Sequence, residues 1–314
     1  MARNEASLHR WLGRRLAPRG LSVGFGNDAA VLPSAPGRDV VCCDQTLAGV
    51  HFEPGTAPGR VGTKAAGRAL SDLAASAARP RALLLGGAFA PEVSEGWIRA
   101  LLRGVRAAGR RHGAELVGGD LACAPAGAPA SLTVTALGRL APGDRAVARG
   151  RARPGHLIVL TGAVGGSSLG RHLAIEPRIR AGRWLARNGA RAMMDVSDGL
   201  ALDLSRLGRA SGVCMVLERV PIHSDARKLS RRSGRSALEH ALADGEDHEL
   251  IATLPARAWA RCRGRTRAAG VELTVIGRVR EGAGLFVPED ESIVGDAGDG
   301  LVRWAGAGGW IHGA

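Results

Sequence analysis

The strand-to-helix junction in the second half of this chain reads Met194-Asp195-Val196-Ser197-Asp198-Gly199-Leu200. The apolar run Met193–Val196 predicts a short buried strand, and Leu200–Ser211 has the spacing of a helix. A second apolar run, Val213–Leu217, predicts the strand that follows. The junction therefore lies in a strand–helix–strand unit, which is typical of an α/β or α+β fold.

The same alternation of strands and helices extends through the rest of the chain. Helices are predicted at Ser7–Leu16, Arg60–Ala78 and Val93–His112. Strands are predicted at Ala30–Leu32, Val40–Cys43, Ala82–Phe89, Ala130–Leu140, His156–Thr161 and Glu249–Leu254, and a helix after the turn Gly162–Gly166. The charged, glycine-containing segment Ala141–Gly155 predicts a domain boundary, which gives domains at residues 1–147 and 148–314.

The bulk composition is that of a globular protein. The chain has 314 residues, of which 45% are hydrophobic and 23% charged, and it contains no apolar stretch of membrane-spanning length. No apolar signal-peptide core follows Met1, so we expect a cytoplasmic protein. The five cysteines show no CxxC pairing, which favours reduced thiols over disulfides or structural zinc.

The formal charge of +14 is the strongest compositional signal and suggests nucleic-acid binding. Against that interpretation, the arginines are spread along the whole chain. Aromatic residues make up only 3% and tyrosine is absent, which leaves few side chains for base stacking. We therefore favour a general compositional bias toward arginine, with dedicated nucleic-acid binding as a rival hypothesis. The resulting positive field would still help to collect anionic substrates such as nucleotides.

Several well-known nucleotide and metal motifs are missing from the sequence. There is no G-x-x-x-x-G-K-[ST] phosphate loop, no protein-kinase motif set and no H-E-x-x-H pair. Instead, aspartates recur beside small residues, at predicted strand ends or turns. They are Asp28, Asp44, Asp72, Asp120, Asp195 and Asp198. Carboxylate oxygens are the ligands that Mg²⁺ prefers, and neighbouring glycines let a polyphosphate approach the backbone.

Any one of these aspartates could instead cap a helix or stabilise a turn. Asp72 and the Asp195/Asp198 pair argue against that reading. Asp72 stands in an alanine-rich helical stretch, where an aspartate has poor helix propensity. Asp195 and Asp198 are three residues apart on one turn and repel each other unless a cation neutralises them.

These segments resemble those of thiamine-monophosphate kinases, in the superfamily that also holds aminoimidazole ribonucleotide synthetase and selenophosphate synthetase. The resemblance covers nearly the whole chain in order. It rests on Gly26–Leu32, Asp44–Phe52, Leu70–Ala75, Val117–Asp120, Arg153–Gly155, Leu169–Leu173, Met194–Leu200, Gly245–Leu250 and Gly309–His312. It implies an N-terminal domain whose strands pair in a dimeric barrel and a C-terminal α/β sandwich. It also implies a homodimer that uses Mg²⁺ and ATP to phosphorylate thiamine monophosphate.

The resemblance also assigns roles to individual residues. It implies metal ligation at Asp28, Cys42, Cys43, Asp44, Asp72, Asp120, Asp195 and Asp198. It implies ATP contacts from Gly119, Asp120, Arg149 and Ser197, and thiamine-phosphate contacts from His51, Glu246 and Trp310. The chain departs from the family pattern at Asn27, Cys42, Cys43, His156 and His248. Because a thiol is a poor magnesium ligand, only a backbone carbonyl suits Cys42 or Cys43. Two alternatives stay open: another ATP-dependent enzyme of the superfamily, or a member that binds nucleotide and metal without catalysis.

Overall fold

The computed structural model describes residues 11–12, 14–16, 29–30, 32–290 and 301–305. Asp28 and Trp310, to which the resemblance assigns roles, lie outside these ranges. The chain divides into two compact units. The first comprises Met1–Leu73, Ala78–Gly143 and Leu173–Ile175, and the second Ala74–Ala77, Asp144–His172 and Glu176–Ala314. The domain limits set from the sequence, 1–147 and 148–314, stay a prediction.

The first unit contains a four-stranded sheet in the order β1-β4-β2-β3. Its strands are β1 (Arg38–Leu47), β2 (Arg79–Phe89), β3 (Glu115–Cys123) and β4 (Ser131–Leu140). β4 pairs antiparallel with β1 and with β2, whereas β2 and β3 are parallel. Along β4, every second side chain is buried, as expected for a strand with one packed face. On the other face, the described side chains are half-buried or exposed, and Val41 on β1 is 69% exposed.

Besides the short helical stretch at residues 11–12 and 14–15, the described part of this unit contains the helices α1 (Pro58–Ala75) and α2 (Glu95–Arg111). α2 begins where the Ser94 hydroxyl accepts a hydrogen bond from the Trp97 N–H, which satisfies an otherwise free backbone donor. The two helices approach backbone to backbone at a glycine. A Cβ atom at Gly62 would lie 2.2 Å from the carbonyl oxygen of Leu101, so a larger residue does not fit there.

The second unit contains a seven-stranded mixed sheet in the order β11-β10-β7-β9-β5-β8-β6. Its strands are β5 (His156–Leu160), β6 (Ala192–Asp195), β7 (Cys214–Leu217), β8 (Leu250–Pro255), β9 (Thr274–Arg280), β10 (Gly284–Pro288) and β11 (Leu301–Arg303). Its helices are α3 (Ile179–Arg187), α4 (Leu200–Ser211), α5 (Ser224–Ser233), α6 (Ala237–Ala243) and α7 (Ala256–Cys262). Within the described residues, β7 and β10 are its parallel pair.

Both faces of this second sheet are packed. On β6, Met194 joins a core with Leu204 of α4, whereas its neighbour Met193 joins a second core with Leu185 of α3. Adjacent residues of a strand point to opposite faces, so the two cores lie on the two sides of one sheet. The α/β class and the C-terminal sandwich are thereby confirmed. Among the described helices, none is long and apolar enough to cross a bilayer.

The structure corrects several local predictions. The strand expected at Ala30–Leu32 is wrong, because Ala30 and Leu32 lie outside any strand. β1 continues to Leu47, so Asp44 lies inside the strand opposite Val134 and not at its end. Asp120 likewise lies within β3. The glycine turn after β5 leads into two 3-10 turns, and the next α-helix begins only at Ile179.

Candidate functional site

In the first unit, the negative charges of Asp44 and Asp72, two of the predicted metal ligands, both influence the thiol of Cys42. The Cys42 Sγ lies 3.1 Å from the Ala69 carbonyl oxygen on α1, to which it donates. Asp72 is one helical turn further along α1, on the same side of the helix. Burial, followed by the negative charges of Asp72 and Asp44, raises the pKa of Cys42 to about 12. These shifts place both carboxylates near Cys42 and keep its thiol protonated, which disfavours a thiolate–metal bond.

Asp44 is also paired with an arginine. The Arg68 Nη2 lies 3.1 Å from the Asp44 Oδ1, and both side chains are largely buried. Arg68 precedes Asp72 by four residues, so Arg68 and Asp72 share one face of α1. The surface of α1 that faces β1 therefore carries a cation for Asp44 and a carboxylate beside it.

Asp120 does not join this pair within one chain. It lies exposed on β3, and Gly119 before it has φ +154° with no space for a side chain, because a Cβ there would be 2.0 Å from the Leu85 carbonyl. β4 and β2 lie between β1 and β3. Three strand spacings put the backbones of Asp44 and Asp120 roughly 14 Å apart. Within the described residues, no group of three or more His, Cys, Asp or Glu side chains lies close enough to hold one metal ion.

His51 follows β1 in a tight turn. Its N–H donates to the Leu47 carbonyl at 2.8 Å, and Gly49 within the turn has φ +78°. The Leu47 N–H donates in return to the His51 Nδ1 at 3.0 Å. The half-buried imidazole is therefore fixed against the end of the strand that carries Asp44.

In the second unit, the Asp195–Gly199 junction is held by a residue that the sequence analysis missed. Asp203, in the first turn of α4, is fully buried. Its Oδ2 accepts hydrogen bonds from the Ser197 and Asp198 N–H groups, each at 2.9 Å. Burial raises the pKa of Asp203 to about 6, while the Asp198 N–H and Arg206 act to lower it. Its position eight residues after Asp195 on the inner face of an amphipathic helix was the available signal.

Arg206 joins the acids of this junction. Its guanidinium is hydrogen-bonded to the Asp198 carboxylate and lies 2.9 Å from the Asp203 Oδ1. Asp195, at the end of β6, is nearly buried and its Oδ2 lies 3.1 Å from the His248 Nδ1. The charge of Asp198 is thus partly neutralised by Arg206, and the Asp195 carboxylate has a hydrogen-bonding neighbour in His248.

The Gly245–Glu249 segment is tied to the same junction. The Glu246 N–H donates to the Ser197 carbonyl and the His248 N–H to the Val196 carbonyl, each at 2.8 Å. Glu246 and His248 both have φ +52°, a conformation that costs a non-glycine residue about 1 kcal/mol or more. Such strain is concentrated at functional sites. The Oε2 of Glu246, the residue of this segment that the resemblance assigns to substrate binding, lies 3.1 Å from the His172 Nδ1.

Two further acids of this segment support the glycine-rich turn after β5. The buried Asp247 accepts the Gly165 N–H at 2.9 Å and binds Arg171 at 2.8 Å. Burial raises the pKa of Asp247 to about 6 despite the opposing charge of Arg171. Glu249 pairs with Arg178 and accepts the Thr161 hydroxyl. Neither acid has a role assigned from the sequence, although three acids within four residues, Glu246, Asp247 and Glu249, are a visible signal.

The remaining predicted site residues are either exposed or outside the described residues. Arg149 is exposed, and its backbone carbonyl accepts the Ser211 hydroxyl at 2.9 Å. Cys43 is exposed on β1, where the Thr135 hydroxyl lies 3.7 Å from its sulfur. Asp28 and Trp310 lie outside the described residues. All assigned roles stay predictions.

Comparison with known proteins places this geometry in a class. The family model "AIR synthase related protein, N-terminal domain" matches residues 26–140, and "AIR synthase related protein, C-terminal domain" matches residues 153–288. The chain is thus an AIR synthase-related protein by both of its matched segments. Thiamine-monophosphate kinase of Rhodopirellula baltica is 38% identical over 244 residues, covering 74% of this chain and 75% of that one. The chain therefore belongs to the thiamine-monophosphate kinase family.

Solved structures agree with this assignment. Thiamine-monophosphate kinase from Stenotrophomonas maltophilia is 33% identical, with a TM-score of 0.75 over 91% of this chain and 97% of that one. A structure described as AaThiL complexed with AMPPCP and TMP is 26% identical, with a TM-score of 0.74 over 98% and 96% of the two chains.

Proposed function

We propose that this protein transfers the γ-phosphoryl group of ATP to thiamine monophosphate, giving ADP and thiamine diphosphate. The observation that carries this proposal is the likeness, over 98% of this chain, to a relative solved with an ATP analogue and TMP. The matched relatives are named thiamine-monophosphate kinases, which are phosphotransferases. The acidic groups around Cys42 and at the Asp195–Gly199 junction provide the chemistry.

The donor set fits magnesium. The charges of Asp44 and Asp72 both raise the pKa of Cys42, which supports a position of both carboxylates close to that thiol. Asp195 and Asp198 offer two more carboxylates. Mg²⁺ is bound by one or two carboxylates with phosphate and water as its other ligands, so a cage of three side chains is not required. We propose Asp28, Asp44, Asp72, Asp120, Asp195 and Asp198 as metal ligands. When bound, the metal would neutralise phosphate charge.

The acceptor is already an ionised phosphate, so transfer requires orientation and charge neutralisation more than a general base. Gly119, Asp120, Arg149 and Ser197 are proposed to hold ATP, and His51, Glu246 and Trp310 to hold thiamine phosphate. Direct transfer predicts no phosphorylated side chain during turnover.

The experiment is incubation of the purified protein with Mg-ATP and thiamine monophosphate, with products separated by chromatography. We expect equal amounts of ADP and thiamine diphosphate. ADP formed only with a different phosphate or carboxyamide acceptor would favour another enzyme of the superfamily. ATP binding without ADP formation would favour a non-catalytic role. Binding to nucleic acid with a steep salt dependence would favour the rival hypothesis of a nucleic-acid-binding protein.

We further propose that the protein works as a cytoplasmic homodimer. Among the described residues, Val41 on β1 is largely exposed, and β1 and β3 are the two edge strands of the first sheet. Asp44 on β1 and Asp120 on β3 are separated by two strands within one chain, too far apart to share an ion. A second copy whose β3 edge pairs with the β1 edge of this chain would bring its Asp120 close to the Asp44 and Asp72 of the first.

Mixing two inactive variants tests this arrangement. We expect Asp72→Asn and Asp120→Asn each to be inactive alone. After exchange of subunits, half of the dimers are mixed and each has one intact site, which restores roughly a quarter of wild-type activity. Mass from light scattering gives the oligomeric state. A dimer without recovered activity would show that each chain completes its own site.

A further inference from the structure

Lys64 is an unusual residue for its place in the fold. Of the 43 basic residues, only Lys64 and Lys228 are lysines, and Lys64 is fully buried on α1. Its neighbours Val61, Ala65 and Ala66 are also fully or almost fully buried. Burying an ammonium group is costly unless its partners compensate for the lost hydration, and an apolar side chain of similar volume is often as stable. Packing alone therefore does not explain a lysine at this position.

The Lys64 ammonium donates a hydrogen bond to the carbonyl oxygen of His51. His51 is thereby held through its backbone on both sides, because its N–H also donates to the Leu47 carbonyl at 2.8 Å. Phe52, the next residue, is buried, and its carbonyl accepts the Gly49 N–H at 2.9 Å. The turn after β1 is thus connected to α1 through a single charged side chain and closed by backbone hydrogen bonds.

The ring of His51 is fixed by the same turn. The Leu47 N–H donates to Nδ1 at 3.0 Å, and a nitrogen that accepts a hydrogen bond carries no proton. The neutral imidazole must then carry its proton on Nε2. A half-buried histidine of this tautomer presents one hydrogen-bond donor, which suits an anionic oxygen and not a cation.

We propose that Lys64 is a positioning residue that keeps the turn after β1 closed, so that His51 presents its Nε2–H to an anionic oxygen of the acceptor. The proposal rests on the proposed function for the identity of that acceptor. The closed turn and the tautomer of His51 do not depend on it.

The test uses Lys64→Met, which keeps the length and apolar stem of the side chain, with Lys228→Met as the control. Lys228 is exposed in the second unit, where it pairs with Asp225. We expect Lys64→Met to raise the KM for thiamine monophosphate about tenfold with kcat nearly unchanged, the pattern of a lost ground-state contact. The KM for ATP should stay as in the wild type. Combining Lys64→Met with His51→Ala should add little to His51→Ala alone, because both act through one contact.

A second readout is independent of turnover. Nitrogen-15 NMR of the histidine rings, assigned with the His51→Ala variant, should show His51 of the wild type protonated on Nε2. Lys64→Met should shift this ring toward a mixture of tautomers. A wild-type His51 protonated on Nδ1 overturns the proposal even if the variant fails to fold. An unchanged KM and tautomer in a folded Lys64→Met protein also overturn it, whereas a wild type without thiamine-phosphate turnover overturns only the proposed function.

Discussion

Replacement of Asp72 by asparagine is expected to lower kcat at least about 100-fold, the scale of losing one stabiliser of transition-state charge. The change is nearly isosteric, so the helix should remain intact while one carboxylate charge is lost beside Asp44. Steady-state kinetics with varied Mg²⁺ measure the effect. Asp39→Asn is the control, because Asp39 lies on β1 with a 62% exposed carboxylate bound to Arg139.

The same variant has a second expected effect that needs no catalysis. The negative charge of Asp72 is one cause of the raised pKa of Cys42, after burial. Removing that charge should lower the Cys42 pKa from about 12. Alkylation of Cys42 in the native protein, followed by peptide mass spectrometry, should then become faster in Asp72→Asn but not in Asp39→Asn. Equal alkylation rates in all three proteins would show that Asp72 does not face Cys42, and full retention of kcat would remove Asp72 from the site.

The sequence predicted most elements of the fold because their signals are local. Leu200–Ser211 has the boundaries of α4, and Pro80 sits near the start of β2 after the end of α1. The strand expected at Ala30–Leu32 failed because three small apolar residues carry no periodicity. The end of β1 was placed four residues early because pairing with β4, which is not local, carries the strand past Asp44 to Leu47.

The candidate site was predictable in its carboxylates but not in their partners. Aspartates beside small residues can be recognised in the sequence. The contacts of Arg68, Arg206 and Asp203 depend on how α1 and α4 pack in the fold, so they could not be predicted from local sequence. Arg68 and Arg206 could not be singled out from the sequence, because arginines are frequent along the whole chain. Strand order, which separates Asp44 from Asp120, is likewise a property of the sheet and of no single segment.

Replacement of Asp203 by leucine is expected to have the second large effect. One oxygen, Oδ2, accepts both the Ser197 and Asp198 N–H groups, and Oδ1 binds Arg206. Leucine removes all three contacts, so we expect the free energy of unfolding to fall by about 2 kcal/mol and kcat/KM to fall at least about 100-fold. Asp225→Leu is the matched control, because Asp225 also lies in the first turn of a helix and pairs with a basic residue three positions on.

Asp203→Asn separates the two roles of the carboxylate. Its single amide oxygen can still accept both backbone N–H groups, while its NH₂ group faces the Arg206 guanidinium and cannot bind it. If orientation of the Ser197–Asp198 turn is what matters, Asn should keep kcat/KM within roughly tenfold of wild type while Leu loses it. If the charge of Asp203 matters more, Asn and Leu should be equally impaired. The expected order of activity, wild type above Asn and Asn well above Leu, would identify Asp203 as the residue that shapes the turn carrying Asp198.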